Sequence, residues 1–308
     1  MSPADKNRGA AIALGNFDGL HAGHRAVIED ARRMAKRMNA PLGVATFEPA
    51  PRRFFQPDAP PFRLMTPLRR QMALDAIGVD ELHLLRFDAV MAAMTDREFC
   101  ERVIVGEVGA RAVSVGFDFR FGKGRMGDAD SLKRIGQELG FEVSIVAEVK
   151  DAGAKVSSSR IREAIERGDI ETAYAALGDY WTVDAVVEHG EKRGRTLGFP
   201  TANMTLGQIV QPAHGVYAVW ARSEGAPQWR PGVASFGRTP TTGLRDALLE
   251  VVVFDWSGDL YGQRVHTAFV KFLRPEQRFD GLDALVTAMK ADEAAARAVL
   301  AGARAPLL

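Results

Sequence analysis

The stretch Gly15-Asn16-Phe17-Asp18-Gly19-Leu20-His21-Ala22-Gly23-His24 decides how the first half of this chain is read. It follows a short apolar run, Ala10–Leu14. It leads into His24–Met38, where Val27, Ala31, Met34 and Met38 recur at helical spacing. A strand, a glycine-rich turn and a helix in that order aim backbone N–H groups and the positive end of a helix at an anion. Two histidines three residues apart bracket Gly23, where a side chain would obstruct a close phosphate. Histidine donates hydrogen bonds to phosphate oxygens and carries positive charge beside an anion. The chain lacks GxxxxGK[ST], so this is not a P-loop. Simple helix capping by the histidines, or a zinc site for which no third ligand stands out, are the rival readings.

Working outward, the first half alternates strand and helix signals. Pro41–Phe47, Leu82–Leu85, Ala112–Val115 and Phe141–Val146 read as strands, and Leu68–Ile77, Asp96–Val108 and Ser131–Leu139 as helices. That rhythm predicts an α/β domain with a parallel sheet and right-handed crossovers, whose ligands sit at the carboxyl ends of the strands. The Pro-rich stretch Pro49–Pro61 reads as an irregular loop at that end. Gly122-Lys123-Gly124-Arg125-Met126-Gly127 matches GxGxxG, with Glu148 downstream. A dinucleotide fold places that fingerprint after its first strand, which disfavours NAD binding here.

The second half changes rhythm. Thr182–Val187, Gly215–Ala221, Gly232–Phe236, Leu248–Phe254 and Val265–Leu273 are rich in Val, Phe, Trp and Tyr and are separated by Gly and Pro clusters; Gly281–Leu300 alone looks helical. This predicts a mostly β domain, an antiparallel barrel or sandwich with a C-terminal helix. The Ala-rich helix Glu171–Ala176 ends the first half, so the domains are expected at 1–178 and 179–308. In Gly194-Arg195-Thr196-Leu197-Gly198-Phe199-Pro200-Thr201-Ala202-Asn203 the glycines permit close backbone approach. Thr201 and Asn203, spaced i, i+2, face one side of an extended segment and together offer a hydroxyl and an amide oxygen to Mg²⁺. A surface turn of a β-domain is the other reading.

Composition sets the outer limits. The chain has 308 residues, enough for about two domains, with 46% hydrophobic and 26% charged residues. The net charge of +1 argues against a nucleic-acid partner bound by phosphate neutralisation. Cys100 is the only cysteine, which rules out an intrachain disulfide and makes a thiolate metal site improbable. Met1–Arg8 is polar, without the apolar core of a signal peptide, and no apolar run is long enough for a membrane span; a cytoplasmic place is expected.

Gly15–His24 resembles the HxGH motif of the nucleotidylyltransferase superfamily, and more closely the corresponding string of the bacterial bifunctional riboflavin kinase/FAD synthetase family. Three further strings follow in that family's order: Thr46-Phe47-Glu48-Pro49-Ala50-Pro51-Arg52, Val115–Gly122 and Val156-Ser157-Ser158-Ser159-Arg160-Ile161-Arg162. In the second half, Pro200-Thr201-Ala202-Asn203, Asp255–Gly262 and Leu273-Arg274-Pro275-Glu276-Gln277-Arg278-Phe279 resemble its riboflavin kinase portion. Ala50, Ser235, Thr239 and Val252 depart from residues usual in the family.

The resemblance implies a Rossmann-like adenylyltransferase domain joined to a riboflavin kinase barrel, with ATP, riboflavin and FMN as substrates and Mg²⁺ as cofactor. FMN would attack the α-phosphate of ATP to give FAD; its phosphate is already an anion and needs no general base, only positioning and charge stabilisation. His21 and His24 would hold the triphosphate, and Ser158, Ser159 and Arg160 the departing pyrophosphate. Gly15, Asn16, Phe17, Asp18, Gly23 and Asp118 are implied near the nucleotide, as are Gly194, Arg195 and Gly198 in the kinase half. Phe47, Pro49, Arg52, Phe119 and Arg274 are implied as flavin contacts. Riboflavin attacks through a neutral hydroxyl, so a base is useful, and the resemblance assigns it to Glu250. An adenylyltransferase whose barrel merely binds flavin is the runner-up.

Overall fold

The computed structural model describes residues 9–151, 154–189, 201–237, 247–256 and 258–308. The chain divides into two compact units, 1–59 with 70–157 and 60–69 with 158–308. Gly194, Arg195, Gly198 and Thr239 lie outside the described residues.

In the first unit, β1 (Ala11–Leu14), β2 (Leu42–Glu48), β3 (Glu81–Arg86), β4 (Ala112–Gly116) and β7 (Glu142–Val146) form one parallel sheet in the order β3-β2-β1-β4-β7. Every residue of β1 is buried, as a central strand covered on both faces requires, and this is why its sequence is a plain apolar run. The order reverses beside β1, so the crevice for a ligand opens past the carboxyl ends of β1 and β4. Helix α1 (Ala22–Met38) covers the sheet with Val27, Ile28, Ala31, Met34 and Ala35 and stops at Asn39 in the left-handed region. Asp30 on α1 accepts a hydrogen bond from Ser114 of β4 at 2.8 Å.

The Pro49–Pro61 stretch is less irregular than its composition suggests. A short helix, α2 (Pro51–Phe55), begins with a proline at a first-turn position, where a missing N–H costs nothing. Helices α3 (Pro67–Ala76) and α4 (Ala89–Ala93) follow. The expected helix 96–108 starts as α5 (Asp96–Phe99), capped by Thr95, and continues as a π-helix, Cys100–Val108. The wider turn keeps Cys100, Val103, Ile104 and Val108 all in the core. The GxGxxG segment is a tight hairpin between β5 (Arg120–Phe121) and β6 (Gly127–Asp128), and the next helix, α6 (Ala129–Leu139), starts beyond it under an Asp128 cap. The glycines therefore do not open a helix, the geometry a dinucleotide fingerprint needs. A two-stranded β8 (Lys150–Asp151) and β9 (Ala154–Lys155) closes the unit.

The second unit starts with segment 60–69, taken from inside the first half of the sequence. Phe62 and Arg63 donate their N–H groups to the Gln208 carbonyl, Val210 N–H returns to the Arg63 carbonyl, and the buried Trp181 indole donates to the Leu64 carbonyl at 2.9 Å. Helices α7 (Ser158–Glu166) and α8 (Ile170–Leu177) also belong to this unit. Its sheet is antiparallel, in the order β10 (Thr182–Val186), β15 (Arg264–Pro275), β12 (Gly215–Ser223), β13 (Arg230–Gly237), β14 (Leu248–Val253) and β11 (Ala202–Thr205). Glu188, just past β10, bridges to Asn203 of β11, so the two edge strands meet and the sheet curls into a near-barrel around Trp181, Tyr217, Phe236 and Phe269. Strand β11 was hidden in the sequence because it is short and follows a glycine-rich loop. Helix α9 (Leu282–Ala301) packs Ala296 and Leu300 against Ala218 and Phe254. The sequence division at 178 leaves α7, α8 and segment 60–69 with the first half; the compact units place all three with the barrel.

Candidate active sites

The loop after β1 sits at the switch point of the parallel sheet. His21 is the N-cap of α1: its Nδ1 accepts the His24 N–H at 3.4 Å, which leaves the proton of a neutral ring on Nε2. The two imidazoles stack, centroids 3.8 Å apart and 16° from parallel. A Cβ on Gly23 would lie 3.2 Å from the His21 ring, so the glycine is needed first by this stack. Helix capping is therefore one role that the structure shows for His21, and it uses Nδ1 rather than Nε2. Phe17 is fully buried with φ of 45° and packs against His24 at 5.3 Å, so it props the histidine from beneath. Gly15 N–H donates to the Ala45 carbonyl, and the Thr46 hydroxyl to the Asn16 carbonyl, which pins the loop to β2. Asn16 is exposed and Asp18 half-buried.

The loop after β4 lies on the other side of the same crevice. Asp118 is exposed and its carboxylate stands 3.3 Å from where a Cβ of Gly116 would be. Phe119 stacks on Phe121. The backbone carbonyl of Val156 lies 3.9 Å from the Cβ position of Gly23. In the second unit, Ser158, Ser159 and Arg160 form the first turn of α7. Residues of a helix's first turn present unsatisfied N–H groups to an anion.

At the end of β2, Pro49 follows a cis peptide bond and Arg52 is exposed on α2. Phe47 is buried in the core against Phe87 and Phe99. The rings that reach the surface are different ones. Phe54, Phe55 and Phe87 form a mutual T-shaped cluster, and Phe55 is 64% exposed. Phe47, implied as a flavin contact, is thus a core residue, while Phe55 is an exposed ring on α2.

In the barrel, register brings together residues far apart in sequence. Asn203 of β11 is the cross-strand partner of Glu250 of β14, and Glu250 is in turn the partner of Ser235 of β13. Directly opposed residues project to the same side of a sheet, so Asn203, Glu250 and Ser235 form one polar row. The Asn203 amide N–H₂ approaches the Thr201 hydroxyl and carbonyl at 3.5 Å. Thr201 and Asn203 also line a cleft with Val187, Val251, Val253, Trp256, Leu260 and Tyr261, and Asp259 adds a carboxylate to its wall. Arg274, expected as a flavin contact, makes a bidentate ion pair with Asp292 of α9 at 2.7 Å through both bonds, and its third nitrogen donates to the Pro275 carbonyl. In this arrangement Arg274 ties β15 to α9 over Phe279.

The comparisons with known proteins agree with both halves of this description. Residues 4–160 match a family model described as FAD synthetase, and residues 177–300 one described as riboflavin kinase. The bifunctional riboflavin kinase/FMN adenylyltransferase of Pseudomonas fluorescens is 41% identical over 298 residues, covering 96% of this chain and 94% of its own. The protein of the same description from Escherichia coli K12 is 39% identical, covering 94% and 92%. Among solved structures, a protein from Streptococcus pneumoniae described as a macrolide-efflux protein superposes with a TM-score of 0.84 at 35% identity over 94% of each chain. No described helix is long and apolar enough to cross a membrane. The chain belongs to the bifunctional riboflavin kinase/FMN adenylyltransferase family.

Proposed function

We propose that this chain converts riboflavin and ATP to FMN and ADP, and then FMN and ATP to FAD and pyrophosphate. The functional division follows the sequence, with adenylyl transfer in 1–178 and phosphorylation in 179–308. The observation that carries the first reaction is the stacked His21–His24 pair at the switch point of the parallel sheet. A phosphate oxygen of FMN attacks the α-phosphorus of ATP, and the bond to the β,γ-pyrophosphate breaks. His21 and His24 stabilise the triphosphate, and Ser158, Ser159 and Arg160 take the charge that develops on the leaving pyrophosphate. Asn16, Asp18 and Asp118 border the nucleotide. Pro49, Arg52 and Phe119 border the flavin with Phe47 beneath, and the exposed Phe55 ring adds a stacking surface.

For the second reaction, the supporting observation is the row Asn203, Glu250, Ser235. Glu250 accepts the proton of the terminal ribityl hydroxyl as that oxygen bonds to the γ-phosphorus and ADP leaves. Thr201 and Asn203 would hold Mg²⁺, and their neutral oxygens beside a carboxylate fit a hard cation. The ion, when bound, neutralises phosphate charge. Both substrates being cytoplasmic metabolites supports a cytoplasmic place. Incubating the pure protein with riboflavin, ATP and Mg²⁺ and separating the flavins tests the proposal: FMN and then FAD are expected. FAD formed from supplied FMN, with none from riboflavin, would establish instead an adenylyltransferase whose barrel only binds flavin.

A further inference from the structure

Along β13 the buried residues Gly232, Ala234 and Phe236 alternate with the less buried Val233, Ser235 and Gly237. Val233 and Val252, partners across β13 and β14, pack beneath α9. Ser235 and Glu250 come next on that face, and Gly237 follows. At Gly237 the face holds a second carboxylate. A Cβ on Gly237 would lie 1.7 Å from Oε1 of Glu276, so the Glu276 carboxylate occupies the space where that side chain would be. Glycine at 237 is therefore what lets Glu276 lie down on the sheet on the side Glu250 shares. His214 fixes it from the rim, with Nδ1 3.3 Å from Oε2. Both groups remain open to solvent, at 43% and 46% side-chain exposure, so a ligand can reach them.

We infer that Glu276, positioned by His214, binds the secondary hydroxyls of the ribityl chain of riboflavin. This rests on the reading of Glu250 as the base that receives the terminal hydroxyl. Two residues of strand separate Ser235 from Gly237 by about 7 Å. A five-carbon chain built from bonds of about 1.5 Å spans roughly 5 Å, so a ribityl chain whose end lies at Glu250 reaches toward Glu276. A carboxylate accepts hydrogen bonds from two hydroxyls at once, and a protonated His214 or its neutral N–H keeps the acceptor oriented. The pair therefore determines specificity: it favours flavins with a polyhydroxylated side chain over those whose chain is plain alkyl. A site built to hydrogen-bond a hydroxyl discriminates strongly against an analogue without it.

The test compares riboflavin with a flavin carrying a 5-hydroxypentyl chain, which keeps the reacting hydroxyl and lacks the secondary ones. In the full-length protein, Glu276→Gln should lower kcat/KM for riboflavin roughly 10–100-fold, mostly through KM, and change that for the hydroxypentyl flavin less than about threefold. Gly237→Ala, which displaces the carboxylate without removing it, should shift the preference the same way, and His214→Gln should do so more weakly. Phosphorylation of the hydroxypentyl flavin, together with an unchanged thermal unfolding of the second unit, reports that each variant is folded. An equal fall for both substrates, or no fall for either, overturns the inference. Glu250→Gln separates the underlying reading: it should depress both substrates alike, and if it leaves both unchanged while Glu276→Gln abolishes both, Glu276 is the base and the specificity role is wrong.

Discussion

In the first unit a single run of consecutive residues, Gly15–His24, carries the proposed phosphate loop from strand to helix. In the barrel the comparable row draws Asn203, Ser235 and Glu250 from three strands whose order in the sheet differs from their order in the chain. The first site is made mostly by local geometry: a turn, a cap and a helix start place the histidines, and β2 pins the loop through Ala45 and Thr46. The second is made by register, and a one-residue slip of β14 would turn Glu250 to the other face. Local sites tolerate change elsewhere in the chain; register-built sites depend on everything that holds the strands in step.

The largest expected effect tests whether the two sites are chemically independent. Glu250→Gln keeps the size and hydrogen bonding of the side chain and removes the proton acceptor. Riboflavin phosphorylation should fall by about 10²–10⁴. FAD formation from FMN, whose nucleophile is already ionised, should stay as it was. Parallel loss of both activities would mean one shared site or a misfolded chain. The reciprocal change is His24→Ala, expected to lower FAD formation by about 10²–10³ and to spare the kinase. It removes half of the imidazole stack and the ring that Phe17 supports, so KM for ATP and kcat should both move.

The difference between the sites also explains what was legible in the sequence. The parallel sheet was readable because β1 and β2 are buried on both faces and so are nearly continuous apolar runs. The histidine loop was readable because all its parts are adjacent. The meeting of Asn203 with Glu250 was not derivable from spacing, since nothing local sets which strand lies beside which; only the family resemblance pointed to the pair. Segment 60–69 was invisible for a related reason. Phe62 and Leu64 look like loop apolar residues until the Gln208 carbonyl and the Trp181 indole are found against them. That Phe55 is open and Phe47 buried was likewise not legible, because residue type is the same and only burial separates them.

A third prediction presses on the non-local side of the comparison. Trp181→Phe keeps the ring in the core but strips the Leu64 carbonyl of its buried donor. Stability of the second unit should drop by about 1–3 kcal/mol. The change should appear as earlier loss of kinase activity on heating, since the kinase residues lie in this unit. Thr66 and Arg264 both bond the buried Asp184 in the same unit, so a fragment cut at 178/179, which lacks 60–69, should unfold at lower temperature than one that retains it. Identical melting of the two fragments would show segment 60–69 to be dispensable.

The smallest effect belongs to the first unit and is electrostatic. Asp30 sits on α1, partly buried, and burial alone would raise its pKa. Hydrogen bonds from Ser144, Ser114 and Arg33 outweigh that and hold the carboxyl below its ordinary value. A carboxyl with a lowered folded pKa binds fewer protons when folded than when unfolded. Its contribution to stability is therefore complete above the unfolded value of about 3.9 and is lost as pH falls through the lower, folded one. Asp30→Asn keeps the shape and one acceptor oxygen, so the cost should be modest, about 1 kcal/mol at neutral pH. The variant should approach the parent as both are taken to pH 3 and below, in thermal unfolding monitored by loss of FAD-forming activity on return to neutral pH. A gap that stays constant with pH would assign the loss to packing between α1 and the sheet, and would leave the charge of Asp30 without a part in holding the helix that carries His24.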